Sequence, residues 1–320
     1  LLLPLAGFYG LVTALRRLAY RRRWLSSDTV DIPVIVVGNL QSGGSGKTPL
    51  VIALVELLRA QGWRPGVISR GYGGRVRGPE QVKATSLPED VGDEPVLIAR
   101  KTAAPVAIAR DRAAAARLLC SESAVDILVA DDGLQHYRLA RTLELVVLDA
   151  EAPWGNGWLL PAGPLRESRK RLNQADAVLT CGSGFAAELP IPVFAVNCRA
   201  AHVYPLHQPG LKLPPQPPGT APEWLAVAGI ARPERFFATL HRYGWRFQTR
   251  VFSDHHRFSL NDTISELPIV MTEKDAIKCQ NQAITECWVL SWECELSQAF
   301  SQWLESRLSA LKQVRDGRHA

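Results

Sequence analysis

The run Ser42-Gly43-Gly44-Ser45-Gly46-Lys47-Thr48 constrains this chain more than any other segment. It joins the apolar stretch Ile32 to Val37 (IPVIVV) to the amphipathic stretch TPLVIALVELL. Glycines there let backbone N–H groups turn inward around phosphate oxygens, a lysine reaches the outer phosphates, and a Ser/Thr hydroxyl holds Mg²⁺. The strict G-x-x-x-x-G-K-[ST] pattern is not met, because Gln41 stands at the first glycine position; the glycines fall instead at Gly43, Gly44 and Gly46. Pro49 suits a first helical turn. The reading is a strand, a phosphate loop and a helix, with Gly43, Gly44, Ser45, Gly46, Lys47, Thr48 and Pro49 holding a nucleotide such as ATP.

Such a loop needs a carboxylate at a neighbouring strand end to orient Mg²⁺. Ile127-Leu128-Val129-Ala130-Asp131-Asp132 supplies two, which with Thr48 form the candidate metal set. Short β-branched runs recur at Gly66–Ser69, Val106–Ala109, Leu145–Asp149, Ala177–Thr180 and Val193–Val196, separated by helical patterns. That alternation predicts an α/β fold, a P-loop NTPase three-layer core with a mostly parallel sheet. Over 207–222 the sequence is too rich in proline for a helix or central strand. It divides a core at 31–206 from a smaller C-terminal α/β subdomain at 223–320.

The first 30 residues stand apart. No charge appears from Leu1 to Leu15, and then come Arg16, Arg17, Arg21, Arg22, Arg23 and Trp24. A secretory signal carries its positive charge before the apolar stretch. The pattern predicts a membrane-associated helix with arginines on an anionic surface at roughly 1 kcal/mol each; packing on the protein's own core is the other reading. The net charge of +6 also points to an anionic partner, while 47% hydrophobic and 21% charged residues over 320 exclude disorder. The aromatics are not interleaved with the basic runs as a nucleic-acid platform needs. Six scattered cysteines without a C-x-x-C pair read as reduced thiols.

Weaker signals remain open. Arg70 lies in a flexible, basic stretch, SRGYGG, where an ordinary surface loop is the alternative. Asp93 and Glu94 sit in VGDEP, read as a loop before a helix, where carboxylates are usually solvated. His255 and His256 follow Asp254; one histidine oriented by a carboxylate and a solvated pair are equal readings. Arg112 follows a strand and is a phosphate contact or a surface ion pair. Pro164 to Arg171 opens a basic helix suited to an anionic sugar or headgroup, or to solvent.

Taken in order, GNLQSGGSGKTP, SRGYGG, VGDEP, DDGLQH, GNGWLLPAGPLRE, GIARPERF, FSDHHRF and MTEKDAIKC resemble the tetraacyldisaccharide 4′-kinase (lipid A 4′-kinase) family. The resemblance implies transfer of the ATP γ-phosphoryl group, with Mg²⁺, to the 4′-hydroxyl of tetraacyldisaccharide 1-phosphate at the cytoplasmic face of the bacterial inner membrane. No obligate protein partner follows from it. It implies Asp93 as general base with His255 as its partner, Lys47 on the phosphates, and Arg70, Arg112, Gln135 and Glu167 at the substrate. Two departures stand out: Ser168 where proline is expected, and a stretch from Phe258 to Met271 shorter than the family pattern. The rival reading is a membrane-associated P-loop switch ATPase that binds a protein partner; Ser42, in place of that group's signature lysine, argues against it.

Overall fold

The computed structural model describes residues 2–318 apart from Ser45, Ser183, Ala186 and Thr285, with backbone alone for 313–318. In chain order the elements are α1 (Leu3–Arg21), β1 (Val34–Gly38), α2 (Lys47–Ala60), β2 (Pro65–Ser69), β3 (Glu80–Val82), α3 (Pro88–Val91), α4 (Asp93–Thr102), β4 (Val106–Ile108), α5 (Arg112–Glu122), β5 (Ile127–Asp131), β6 (Leu143–Asp149) and β7 (Ala177–Cys181). They continue with β8 (Val193–Pro205), β9 (Trp224–Ala228), α6 (Pro233–Arg242), β10 (Phe247–Val251), β11 (Ile269–Thr272), α7 (Glu273–Cys279), β12 (Cys287–Leu296) and α8 (Gln298–Arg318).

One sheet takes in all twelve strands in the order β10-β9-β11-β12-β8-β7-β6-β1-β5-β2-β4-β3. It is mostly parallel; β8 with β12 and β3 with β4 are the antiparallel pairs. The fold is α/β. β1 lies between β5 and β6 and is buried on both faces, which is why its sequence is a continuous apolar run. Ile35 and Val37 join Leu50, Leu54 and Leu58 of α2 and Phe300, Leu304 and Leu308 of α8. Val34 and Val36 face the other way, onto Ala113, Ala116 and Leu119 of α5. Each fully buried leucine contributes about 1.5–3 kcal/mol. The C-terminal strands carry two further clusters, around Met271 and around Trp224.

The β8/β12 pair sets the geometry of everything that follows. β8 begins beside β7 at Val193–Val196, runs on well past the end of β7, and reaches Pro205 opposite Trp288. β12, antiparallel to it, there pairs in parallel with β11. β9 and β11 consequently run back toward the ends of β1 and β5, and two sets of strand C-termini face each other. Strand C-terminal ends are where α/β sheets bind ligands.

Two sequence expectations are corrected. Cys198 and Cys294 face one another in the β8/β12 register and are disulfide-bonded, so the six thiols are not all free. Their separation of 96 residues hides the pairing from local spacing. The basic helix expected from Pro164 is only a 3₁₀ turn, Arg169–Gln174, and its Arg171 is buried.

α1 buries Ala6 alone and exposes Leu3, Leu5, Phe8, Leu11, Val12, Leu15 and Leu18. Among the described residues no helix is long and apolar enough to cross a membrane.

Candidate functional site

Gly46 caps α2 in the left-handed region, at φ 76°, so that the helix starts at Lys47 directly after the loop. Lys47 Nζ lies 2.9 Å from Asn39 Oδ1 and 3.0 Å from Asp132 Oδ1. Thr48 is buried, with Oγ1 3.5 Å from Glu94 Oε1, and Pro49 lies in the same first turn. The exposed N–H groups and the helix dipole make this end of α2 favourable for anions. Gly43 and Gly44 lead into it; Ser45, expected among the nucleotide contacts, lies outside the described residues.

Asp131 closes β5 and is almost wholly buried. Its Oδ2 is 3.5 Å from Ser69 Oγ, and its Oδ1 has no hydrogen-bond partner among the described residues. Burial first, and then the charge of Glu94, push its pKa up to about 7. Asp132 stands next to it in the left-handed region. Burial would raise its pKa too, but Lys47 and Arg166 outweigh burial and hold it well below the usual carboxylate range. Arg166 Nη1 donates to both Asp132 oxygens, at 3.0 and 2.9 Å. The sequence reading holds it only as one of the basic residues from Pro164 to Arg171 and gives it no role of its own.

The other substrate-set residues separate in the structure. Gln135 donates to the Asn39 carbonyl at 3.2 Å and stays at the loop. Arg112 is buried beneath the Asp131–Asp132 turn, donating to the Asp131 carbonyl at 3.3 Å and the Asp132 carbonyl at 3.5 Å; burial lowers its pKa to about 10. Glu167 is buried as well, accepting from Tyr137 Oη at 2.6 Å and lying 3.3 Å from Arg171 Nε. Arg171 also bonds Glu144 Oε2 at 2.5 Å. Arg112 and Glu167 thus hold the walls of the site. Arg70 is exposed on the loop after β2.

Asp93 is the first residue of α4, not part of a loop. Gly92 before it, at φ 94°, packs so closely on the 70–75 stretch that a Cβ there would lie 2.7 Å from the Tyr72 carbonyl. His255 Nδ1 reaches in from the C-terminal strands to 3.1 and 3.0 Å from the two Asp93 oxygens, and its ring lies 5.0 Å from that of Tyr72. The hydrogen bond to Asp93 raises the His255 pKa; burial pushes Asp93 upward, but His255 and Lys274 bring it below its ordinary value. Lys274, at the start of α7, bonds Glu94. Glu94 and Lys274 were unassigned in VGDEP and MTEKD. The neighbouring histidine turns elsewhere: His256 stacks on Phe252 and lies 3.2 Å from Asp262. The short 258–271 stretch closes with a capping box between Ser259 and Asp262, leaving His255 on Asp93.

The Asp93–His255 pair therefore lies one residue from Glu94, which reaches Thr48 at the start of α2, with Lys47 on Asp132 in the same helical turn. Known proteins share this chain's sequence and its fold. The family model described as Tetraacyldisaccharide-1-P 4′-kinase matches residues 1–309. A tetraacyldisaccharide 4′-kinase of Thiobacillus denitrificans is 49% identical over 314 residues, covering 97% of this chain and 95% of that protein. One from Alkalilimnicola ehrlichii is 46% identical over 317 residues, covering 96% and 92%. The crystal structure of LpxK from Aquifex aeolicus in complex with ATP superposes with a TM-score of 0.82 at 27% identity, covering 97% of this chain and 98% of that one. The chain belongs to the tetraacyldisaccharide-1-phosphate 4′-kinase family.

Proposed function

We infer that the protein is a lipid kinase that moves the γ-phosphoryl group of ATP to the 4′-hydroxyl of tetraacyldisaccharide 1-phosphate. The observation that carries this reading is the Asp93–His255 contact, one residue from the Glu94 that meets Thr48 at the start of α2. A sugar hydroxyl is a poor nucleophile. Asp93 takes its proton as the new P–O bond forms and the bond to ADP breaks, and His255 orients the carboxylate. Lys47 and Arg166 balance the charge on the transferred group, and Arg70, exposed on the loop after β2, is read as joining them. Labelled ATP supplied with the lipid acceptor tests the assignment: label in the lipid supports it, and label released only as phosphate favours the switch ATPase.

The 42–48 segment is read as a P-loop within a three-layer core. Thr48, Asp131 and Asp132 are oxygen donors of the kind a hard divalent cation takes, and Asp131 Oδ1 has no hydrogen-bond partner among the described residues, so these three would hold Mg²⁺. When bound, it neutralises charge on the phosphate oxygens. A smaller C-terminal unit after 207–222 is supported by the two apolar clusters around Met271 and Trp224, while α8 returns to pack on the core beside α2.

The unpartnered apolar face of α1, followed by Arg16, Arg21, Arg22, Arg23 and Trp24, all exposed, supports a place on the anionic cytoplasmic surface of the inner membrane. Removing residues 1–24 is expected to release the protein from anionic vesicles in a flotation assay. Undiminished flotation would return α1 to a purely structural role.

A further inference from the structure

Asp149 ends β6, on the side of β1 away from Asp131. Its carboxylate is 2% exposed and takes two guanidinium groups on the same oxygen, Arg232 Nη1 at 2.7 Å and Arg235 Nη2. The other oxygen accepts from Glu151 N at 3.3 Å. Arg232 Nη2 continues to Gln41 Oε1 at 3.2 Å, and Gln41 Nε2 donates to the Ala152 carbonyl at 2.7 Å. Gln41 directly precedes the glycine-rich loop, and a Cβ on Gly44 would meet Ala231 Cβ at 3.8 Å. The segment between β9 and α6 is thus fastened to the strand beside the loop while its Ala231 rests against the loop's own glycine. Two arginines on one carboxylate also leave a surplus positive charge at this edge.

We propose that Arg232 and Arg235, seated on Asp149, are positioning residues that hold residues 229–235 against the glycine-rich loop and so set the affinity for ATP, not the rate of phosphoryl transfer. The proposal rests on the kinase reading. β9 and α6 arrive from the opposed set of strand ends, and the contact spans 83 residues of sequence. With this catch closed, Ala231 lies beside Gly44 of the loop. If opening it leaves a tenth of the molecules competent, the apparent Kd for nucleotide rises about tenfold with no change in the chemistry.

The test uses the full chain with MgATP in isothermal titration calorimetry, paired with single-turnover transfer to the lipid acceptor at saturating ATP. For Arg232→Ala, the expected result is a Kd raised about tenfold and a saturating rate within about twofold of the parent protein. Arg232→Lys is expected to recover part of the affinity, because a lysine meets Asp149 but cannot fork to Gln41. Asp149→Asn is expected to weaken ATP further by leaving two guanidinium groups facing each other. Should that variant fail to fold, the partly exposed Arg232 still decides. An unchanged Kd in Arg232→Ala, or a lowered saturating rate with unchanged Kd, overturns the proposal. Failure of the parent protein to bind ATP at all would instead overturn the kinase reading.

Discussion

C-terminal residues meet the core on either side of the glycine-rich loop with different chemistry. On the side of β5 the contacts are His255 on Asp93 and Lys274 on Glu94. On the side of β6 they are Arg232 and Arg235 on Asp149. Histidine changes charge near neutral pH, and a lysine beside it tunes a neighbouring carboxylate; arginine stays charged and offers a rigid fork. On the roles proposed above, groups that can exchange a proton sit where a hydroxyl loses one, and permanently charged groups sit where only position matters. The same closure of facing strand ends serves both sides, so the difference lies in the side chains and not in the backbone.

Asp93→Ala probes that division with the largest expected effect. Removing the base is expected to lower single-turnover transfer by about 10²–10⁴-fold, with ATP affinity close to that of the parent protein. A comparable loss of ATP affinity would erase the distinction between the two sides. Lys274→Ala should act more mildly, lowering the rate by about tenfold, a fraction of a base's worth, and shifting its pH dependence. Lys274 lowers the Asp93 pKa, so its loss moves that pKa up and carries the acidic limb of the pH–rate profile toward higher pH. A limb that stays in place would mean that Lys274 serves Glu94 alone.

The parts of the site built from adjacent residues were legible in the sequence. A buried strand, three glycines, Lys47 and Thr48 declare their chemistry within a dozen positions, and Asp131 follows from the same logic at the next strand. The resemblance alone paired Asp93 with His255, which are 162 residues apart; no local rule could, since the pairing depends on β8 and β12 running past the end of β7. The first of them reads as ending at Val196, because Asn197 and Arg199 interrupt the apolar run, and Glu293 and Glu295 do the same in β12. Arg171 reads as a surface charge in a basic cluster, yet it is buried once Glu144 and Glu167 converge on it. Arg232 and Asp149 were hidden in the same way: each belongs to an ordinary run, and only the facing of the two strand sets makes them one contact.

The smallest expected effect is on stability, and its pH profile separates the two sides most cleanly. The folded His255 pKa is raised above its ordinary 6.5, so its contribution is full below that pH and is lost as pH rises through the folded value. The folded Asp93 pKa is lowered from its ordinary 3.8, so its contribution is present above that pH and is lost as pH falls through the folded value. The pair therefore stabilises the fold most between about pH 4 and pH 6.5. His255→Asn should lower Tm by about 2 °C in that window, with the gap closing toward pH 9. Arg232→Ala should show a Tm deficit that hardly varies over the same range, because a guanidinium group does not titrate there. Thermal melts of both variants from pH 5 to pH 9 would resolve the two shapes. Parallel curves would mean that the Asp93–His255 contact carries no charge in the folded protein, and the proton-transfer role assigned to that side would lose its electrostatic basis.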